Sequence, residues 1–325
     1  MSRLPLCVSL ALVAFAAARG ERMEAVYREG VAITLTEEDT VDMETDEVHV
    51  SVNGMELPPE AFADSGVALP SVHEETTLRM KDVVLEATDG RPSRVRRLFE
   101  ELRERSVENG EEKEQTGPLE GRPIVLADHD GAVEATLDDD GPEVESRYLE
   151  GYRLTNNADL LLPDHEVAVG DSWEVDEEAA RVFCRIGSGP VFFEQDDDLV
   201  AKLIEEESEI HAEVRFADVE ERDGVRCARL EFRIELRAQA DDPRLFGEIP
   251  DGAGDVTATL ALEVESEGKL WYSIEEGRPV AMEHAAEGGL DCELEMVQEE
   301  EGVSLKVRAS GSVEGDTTCR WSRTE

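Results

Sequence analysis

The sequence predicts a mainly β fold: an antiparallel meander forming a large twisted sheet or half-open barrel, with a few short helices. Three observations carry that expectation. Apolar and polar residues alternate over most of the C-terminal part, which gives each strand one buried and one wet face. Turn-forming residues punctuate the alternating runs at short intervals, as hairpins require. Runs with helical periodicity are few.

In chain order, Val31, Ile33 and Leu35 alternate, and Val48, Val50 and Val52 form a second run ending at Asn53-Gly54. Asn-Gly suits a two-residue hairpin turn because both positions need positive φ. Pro58-Pro59 and residues 108–117 read as exposed loops. Residues 93–105 place Val95, Leu98, Phe99 and Leu102 at helical spacing. An amphipathic helix is expected there, supported by Arg96–Glu100 and Arg97–Glu101 pairs. Arginines crowd its first turn, where the helix dipole disfavours cations, so a strand start is the other reading. Ile124 and Leu126, then Asp128-His129-Asp130-Gly131, then Val133 and Leu137 read as a hairpin.

Gly170-Asp171 reads as a turn and Trp173 as a large side chain entering the core. Short helices are expected at 177–183 and 199–206. Ile210, Ala212, Val214 and Phe216 make a strand, which Asp223-Gly224 turns into Leu230, Phe232, Ile234, Leu236 and Ala238. Cys227 is out of phase with that second run, which predicts a bulge or reset near Arg226. From Val256 onward, turns are expected at Glu267-Gly268, Glu276-Gly277, Gly288-Gly289, Gly302 and Gly315-Asp316, each leading into a new alternating run.

The N-terminus reads as a Sec-type signal peptide, residues 1–18. Arg3 precedes an apolar run from Leu4 to Ala18, and Ala16-Ala17-Ala18 offers a small-residue cleavage site before the polar Arg19-Gly20-Glu21. The run falls short of the roughly 20 apolar residues of a spanning helix, and no later segment approaches one. Export to a periplasm or the exterior is expected. The mature chain divides into an N-terminal β-rich half, 19–165, and a C-terminal antiparallel meander half, 166–325, or forms one continuous domain. Its cysteines are Cys184, Cys227, Cys292 and Cys319, and an oxidising compartment permits disulfides. Cys292 and Cys319 both fall on apolar strand phases. A Cys292–Cys319 bridge is the preferred pairing, with buried free thiols as the alternative.

The chain carries 79 acidic and 32 basic residues, a formal net charge of −47. Such a polyanion repels phosphate backbones and anionic lipid surfaces, so neither nucleic acid nor an anionic membrane is expected as a partner. Asp128, Asp130, Asp138, Asp139 and Asp140 are weak metal candidates on neighbouring turns, and Asp196-Asp197-Asp198 is a second acidic run. The calcium-loop pattern is incomplete, so solvated turns are the plainer reading. The histidines are scattered without zinc spacing, and His284 on an apolar phase reads as a core histidine. Gly187-Ser188-Gly189-Pro190 lacks the helix that must follow a nucleophilic serine. Arg91, Arg94, Arg96 and Arg97 read as salt-bridged surface. No catalytic residue and no cofactor is assigned.

Asp89-Gly90-Arg91-Pro92 with Arg96-Arg97-Leu98-Phe99 forms one distinctive stretch. Leu161-Leu162-Pro163 with Val167-Ala168-Val169-Gly170-Asp171-Ser172-Trp173 forms another. Together with 121–133 and 271–279 they resemble uncharacterised secreted proteins of bacteria such as planctomycetes. The resemblance implies no activity and carries over no catalytic or binding residue. The expectation is an exported acidic β-protein, more a binder than an enzyme. It would hold an apolar or amphipathic ligand or serve in the cell envelope, in an oligomeric state left open. A secreted carboxylate-dependent hydrolase and a calcium- or salt-responsive surface protein are the alternatives.

Overall fold

A computed structural model describes residues 20–61, 71–108, 110–186, 190–193, 208–241, 255–298 and 303–324. The expected signal peptide, the expected helix at 199–206, the Gly187-Ser188-Gly189 stretch, Asp196-Asp197-Asp198 and the Gly302 turn lie outside the described residues. The described strands are β1 (Ala32–Val52), β2 (Met55–Glu56), β3 (Val72–Thr88), β4 (Arg91–Glu108), β5 (Glu111–Thr116), β6 (Pro123–His129), β7 (Ala132–Leu137), β8 (Ser172–Val175), β9 (Ser208–Arg222), β10 (Val225–Asp241), β11 (Asp255–Ser273), β12 (Arg278–Gln298) and β13 (Val303–Thr324). They form one antiparallel sheet in the order β7-β6-β4-β3-β1-β13-β12-β11-β10-β9-β8, with β2 beside β1 and β5 beside β4. The expected mainly β architecture is therefore the observed one.

The first and last long strands pair from Ala32↔Thr324 to Val52↔Leu305, so one sheet runs through both halves of the chain. From β7 to β8 the path has ten inter-strand steps, about 48 Å if it were flat. Ile124 and Leu126 of β6 nevertheless share one core with Val214 and Phe216 of β9 and with Trp173 of β8. The sheet must curl around that core. Because β7 and β8 do not pair, it remains open.

The segment between β7 and β8 fills the opening. It carries 3-10 turns at Ser146–Leu149 and Asn157–Leu161. Tyr148, Tyr152, Ala158 and Leu161 are buried in the core. Trp173 is the expected core anchor, and its indole N–H donates to the Leu161 carbonyl at 3.0 Å. The helix α1 (Glu177–Phe183) follows, where a helix was expected. Asp176 caps it by accepting from the amides of Glu178 and Ala179, and Glu177 pairs with Arg181 one turn on. Among the described residues no helix is long and apolar enough to cross a membrane.

The expected helix at 93–105 is strand β4. A bulge explains the misleading spacing. Arg79 pairs with Glu101 and Met80 with Phe99, which leaves Glu100 extra and puts both Phe99 and Leu102 on the core side. The arginines bond across the sheet: Arg97 to Asp82, Arg94 to Glu86 and Arg96 to Asp138. A second bulge joins two runs that look separate in sequence. Thr45 pairs with Gly311 and Glu47 with Ser310, so the extra Asp46 shifts the inward phase from Ile33 and Leu35 to Val48, Val50 and Val52 within the single strand β1.

Three expected turns are strand interiors. Gly268, Gly288-Gly289 and Gly315-Asp316 lie inside β11, β12 and β13. Residues 111–116 pair with β4 as β5 instead of forming a loop. The turns at Asn53-Gly54, Asp130-Gly131, Asp223-Gly224 and Gly277 are present, with positive φ at each of these residues. Strand β10 is not reset at Arg226. Cys227 points to the opposite face, into a small separate core with Trp271, Val280 and Ala281, and the register shift falls between Arg229 and Leu230.

Candidate ligand cavity

Between the inner face of the sheet and the segment that fills its opening lies a cavity of about 430 Å³. Its floor follows from register. One row crosses the sheet as Leu78, Glu37, Cys319, Met282, Leu270 and Leu230. The next inward row is Asp39, Thr317, His284, Gly268 and Phe232, and the third is Val41, Gly315, Ala286, Ser266 and Ile234. The second and third rows are built largely of small or polar side chains, so they leave space where the first row fills it. Phe183, Ile186 and Phe192 border the cavity from the side of α1, and Trp321 and Leu35 border it from the sheet. The lining is mainly apolar with a few placed polar groups, as small-molecule sites are.

Several of the polar groups are paired. Arg185, which follows α1, donates to Glu37 at 2.6 Å, and its guanidinium lies 5.5 Å from the Phe192 ring centroid. This pair ties the segment after α1 to β1. The Cys319 thiol faces Glu37 at 3.8 Å, and burial pushes that thiol well above its ordinary pKa. The Thr317 hydroxyl donates to Asp39. His284 lies 3.2 Å from the Ser266 hydroxyl, and burial lowers its pKa, so it is neutral near pH 7. The expected core histidine therefore stands at the cavity wall.

A second polar cluster sits beside the cavity. Tyr27 donates to Asp159, and the Asn156 amide donates to the Tyr27 hydroxyl at 2.8 Å. The Trp321 indole donates to the Asn156 side chain at 3.1 Å. The buried Tyr272 hydroxyl faces Asp159 and also pulls on its carboxyl. Burial pushes the Asp159 carboxyl up to about 6, against the opposing pull of Tyr27, Asn156 and Arg153.

Glu37 and Asp39 enter the cavity from the same strand, about 7 Å apart along it. Glycoside hydrolysis by a carboxylate pair places one on each side of the scissile bond. Here both share one wall, and Arg185 already binds Glu37.

The weak metal candidates are not brought together. Asp128 accepts from the Gly131 amide in its turn, and Asp138 pairs with Arg96. Asp139 binds Arg122 at 3.0 and 2.6 Å and accepts from the Gly141 amide. Those bonds hold its carboxyl down at about 2. Asp130 supplies a positive-φ turn position, and Asp140 lies in the exposed loop after β7. Among the described residues no group of three or more His, Cys, Asp or Glu side chains is placed to hold a metal ion.

The expected Cys292–Cys319 bridge is not formed. Cys292 pairs with Ala309 and Cys319 with Met282, ten register positions apart, or about 33 Å. Disulfides need Cα atoms within about 7 Å. Cys184, Cys227, Cys292 and Cys319 are all free thiols.

No family model and no curated protein matches the chain. Among solved structures, the crystal structure of Pseudomonas aeruginosa OccK7 (OpdD) is similar over 91% of this chain and 100% of its own, at 7% identity and a TM-score of 0.22.

Proposed function

We propose that this chain is an exported, non-enzymatic protein that holds an apolar or amphipathic ligand inside its open sheet. The observation that carries the proposal is the cavity of about 430 Å³, floored by inward rows largely of small or polar side chains and bordered by Phe183, Phe192 and Trp321. Burying apolar surface contributes roughly 25 cal/mol per Å², so a space of this size can bind an acyl chain without any covalent chemistry. The apolar run at residues 4–18 supports export, and the excess of acid on the outer strand faces supports solubility outside the cell.

Native mass spectrometry of the purified full chain, with solvent extraction of the same sample, tests this reading. A discrete mass adduct that is extracted as an amphiphile is expected. A protein that carries no adduct and takes up no fatty acid or lysolipid when these are added contradicts it.

A further inference from the structure

We infer that the cavity takes a single-chain amphiphile with an anionic head, and that Arg153 anchors that head. The inference rests on the proposed reading of the cavity as a ligand site. Arg153 lines the cavity, and its Nε is buried with no hydrogen-bond partner. The other arginines of the cavity are neutralised. Arg97 grips both oxygens of Asp82 at 2.8 and 2.7 Å, and Arg185 holds Glu37. Of the described arginines that form no ion pair, Arg153 is the one that lines this cavity. A partly buried unpaired charge is costly, and its planar fork matches a carboxylate or phosphate held by two bonds.

Position supports the same assignment. Gly151, Arg153, Thr155 and Val182 border both the inner cavity and an outer cleft of about 740 Å³. Arg153 therefore stands where a head group would sit while its chain runs inward to Met282 and Trp321. Arg91, Glu24, Asp89, Asp128 and Glu178 also line the outer cleft, and among the described residues none of these carboxylates forms an ion pair with Arg153. Asp159 is near enough for the charge of Arg153 to influence it, yet the two do not bond.

The test is calorimetric titration of the delipidated full chain at pH 8 and fixed ionic strength. The probes are dodecanoate, dodecyl phosphate, dodecanol and dodecyltrimethylammonium, each below its micelle concentration. Dodecanoate or dodecyl phosphate should bind about tenfold or more tighter than dodecanol, the worth of one charged hydrogen-bonded contact. The tighter of the two anions assigns the head as a carboxylate or a phosphate ester. Arg153→Gln should bring both anions to the dodecanol level and leave dodecanol unchanged. Arg153→Lys, which keeps the charge and loses the fork, should fall between and serves if the glutamine variant does not fold. Equal binding of anion and alcohol, tighter binding of the cation, or an Arg153→Gln variant that keeps its preference overturns the anionic assignment while the cavity reading stands. Failure of all four probes to bind overturns the cavity reading itself.

Discussion

Asp159 is a carboxyl held in a place that disfavours its charge. Its folded pKa of about 6 lies above the ordinary value of 3.8, so the folded state keeps a proton that the unfolded chain releases. The sign follows: stability from this group is present below about pH 4 and is lost as pH rises through about 6. The full difference is about 3 kcal/mol. Asp159→Asn keeps an oxygen for Tyr27 and removes the ionisation. Relative to wild type, it should gain stability between about pH 4 and pH 6 and then level off, read from denaturant midpoints at several pH values. A difference that stays flat with pH contradicts this account of the site. Part of the site was legible at this scale. The alternation of Ile33 and Leu35, carried on two and four residues further, would have put Glu37 and Asp39 on the same face, a signal the reading of the sequence did not use. Arg153, Asp159 and Arg185 were not legible, because they sit on irregular segments that carry no periodicity.

The long strands show why glycine misleads in a β sequence. Gly268 read as a turn, yet it is the middle of β11, where the Phe232 ring crosses it. A Cβ there would stand 2.2 Å from Phe232 Cζ and 2.5 Å from His284 Cβ. Glycine in a strand interior marks close approach as readily as a turn. Gly268→Ala should destabilise the protein by about 1–3 kcal/mol through overpacking, measured as a lower urea midpoint at unchanged slope. An unchanged midpoint would mean that Phe232 is not held over Gly268. The two bulges carry the companion lesson. A one-residue insertion at Glu100 turns a two-residue period into a three-residue gap between Phe99 and Leu102, which imitates a helix. The insertion at Asp46 flips the inward phase and splits one strand into two apparent ones. Strand pairing sets both features, and pairing partners are remote in sequence. Turns with Asn-Gly and Asp-Gly were legible because their positive φ is a local demand.

At the scale of the molecule, the alternation was enough to predict a mainly β antiparallel sheet, and the structure adds how it is arranged. Pairing of β1 with β13 brings the first and last long strands together at the centre of the sheet. Strands from both edges then share one core, and small inward residues leave a cavity beside it. Some of the surface ion pairs join neighbouring strands, as in Arg105 with Glu75 and Glu112, and Arg308 with Glu293. The cavity carries its own small set of arginines, Arg97, Arg153 and Arg185. The central claim is that this cavity is a binding site. Titration of a fluorescent fatty acid analogue, 11-(dansylamino)undecanoic acid, into wild type and Ala286→Trp tests it most directly. Ala286 lies in the third inward row, so the indole would fill the space that the ligand needs. The account predicts saturable binding by wild type, affinity at least about tenfold weaker in the variant, equal to about 1.4 kcal/mol, and unchanged far-ultraviolet circular dichroism. Saturable binding of equal affinity in both proteins, or none in wild type, would contradict it.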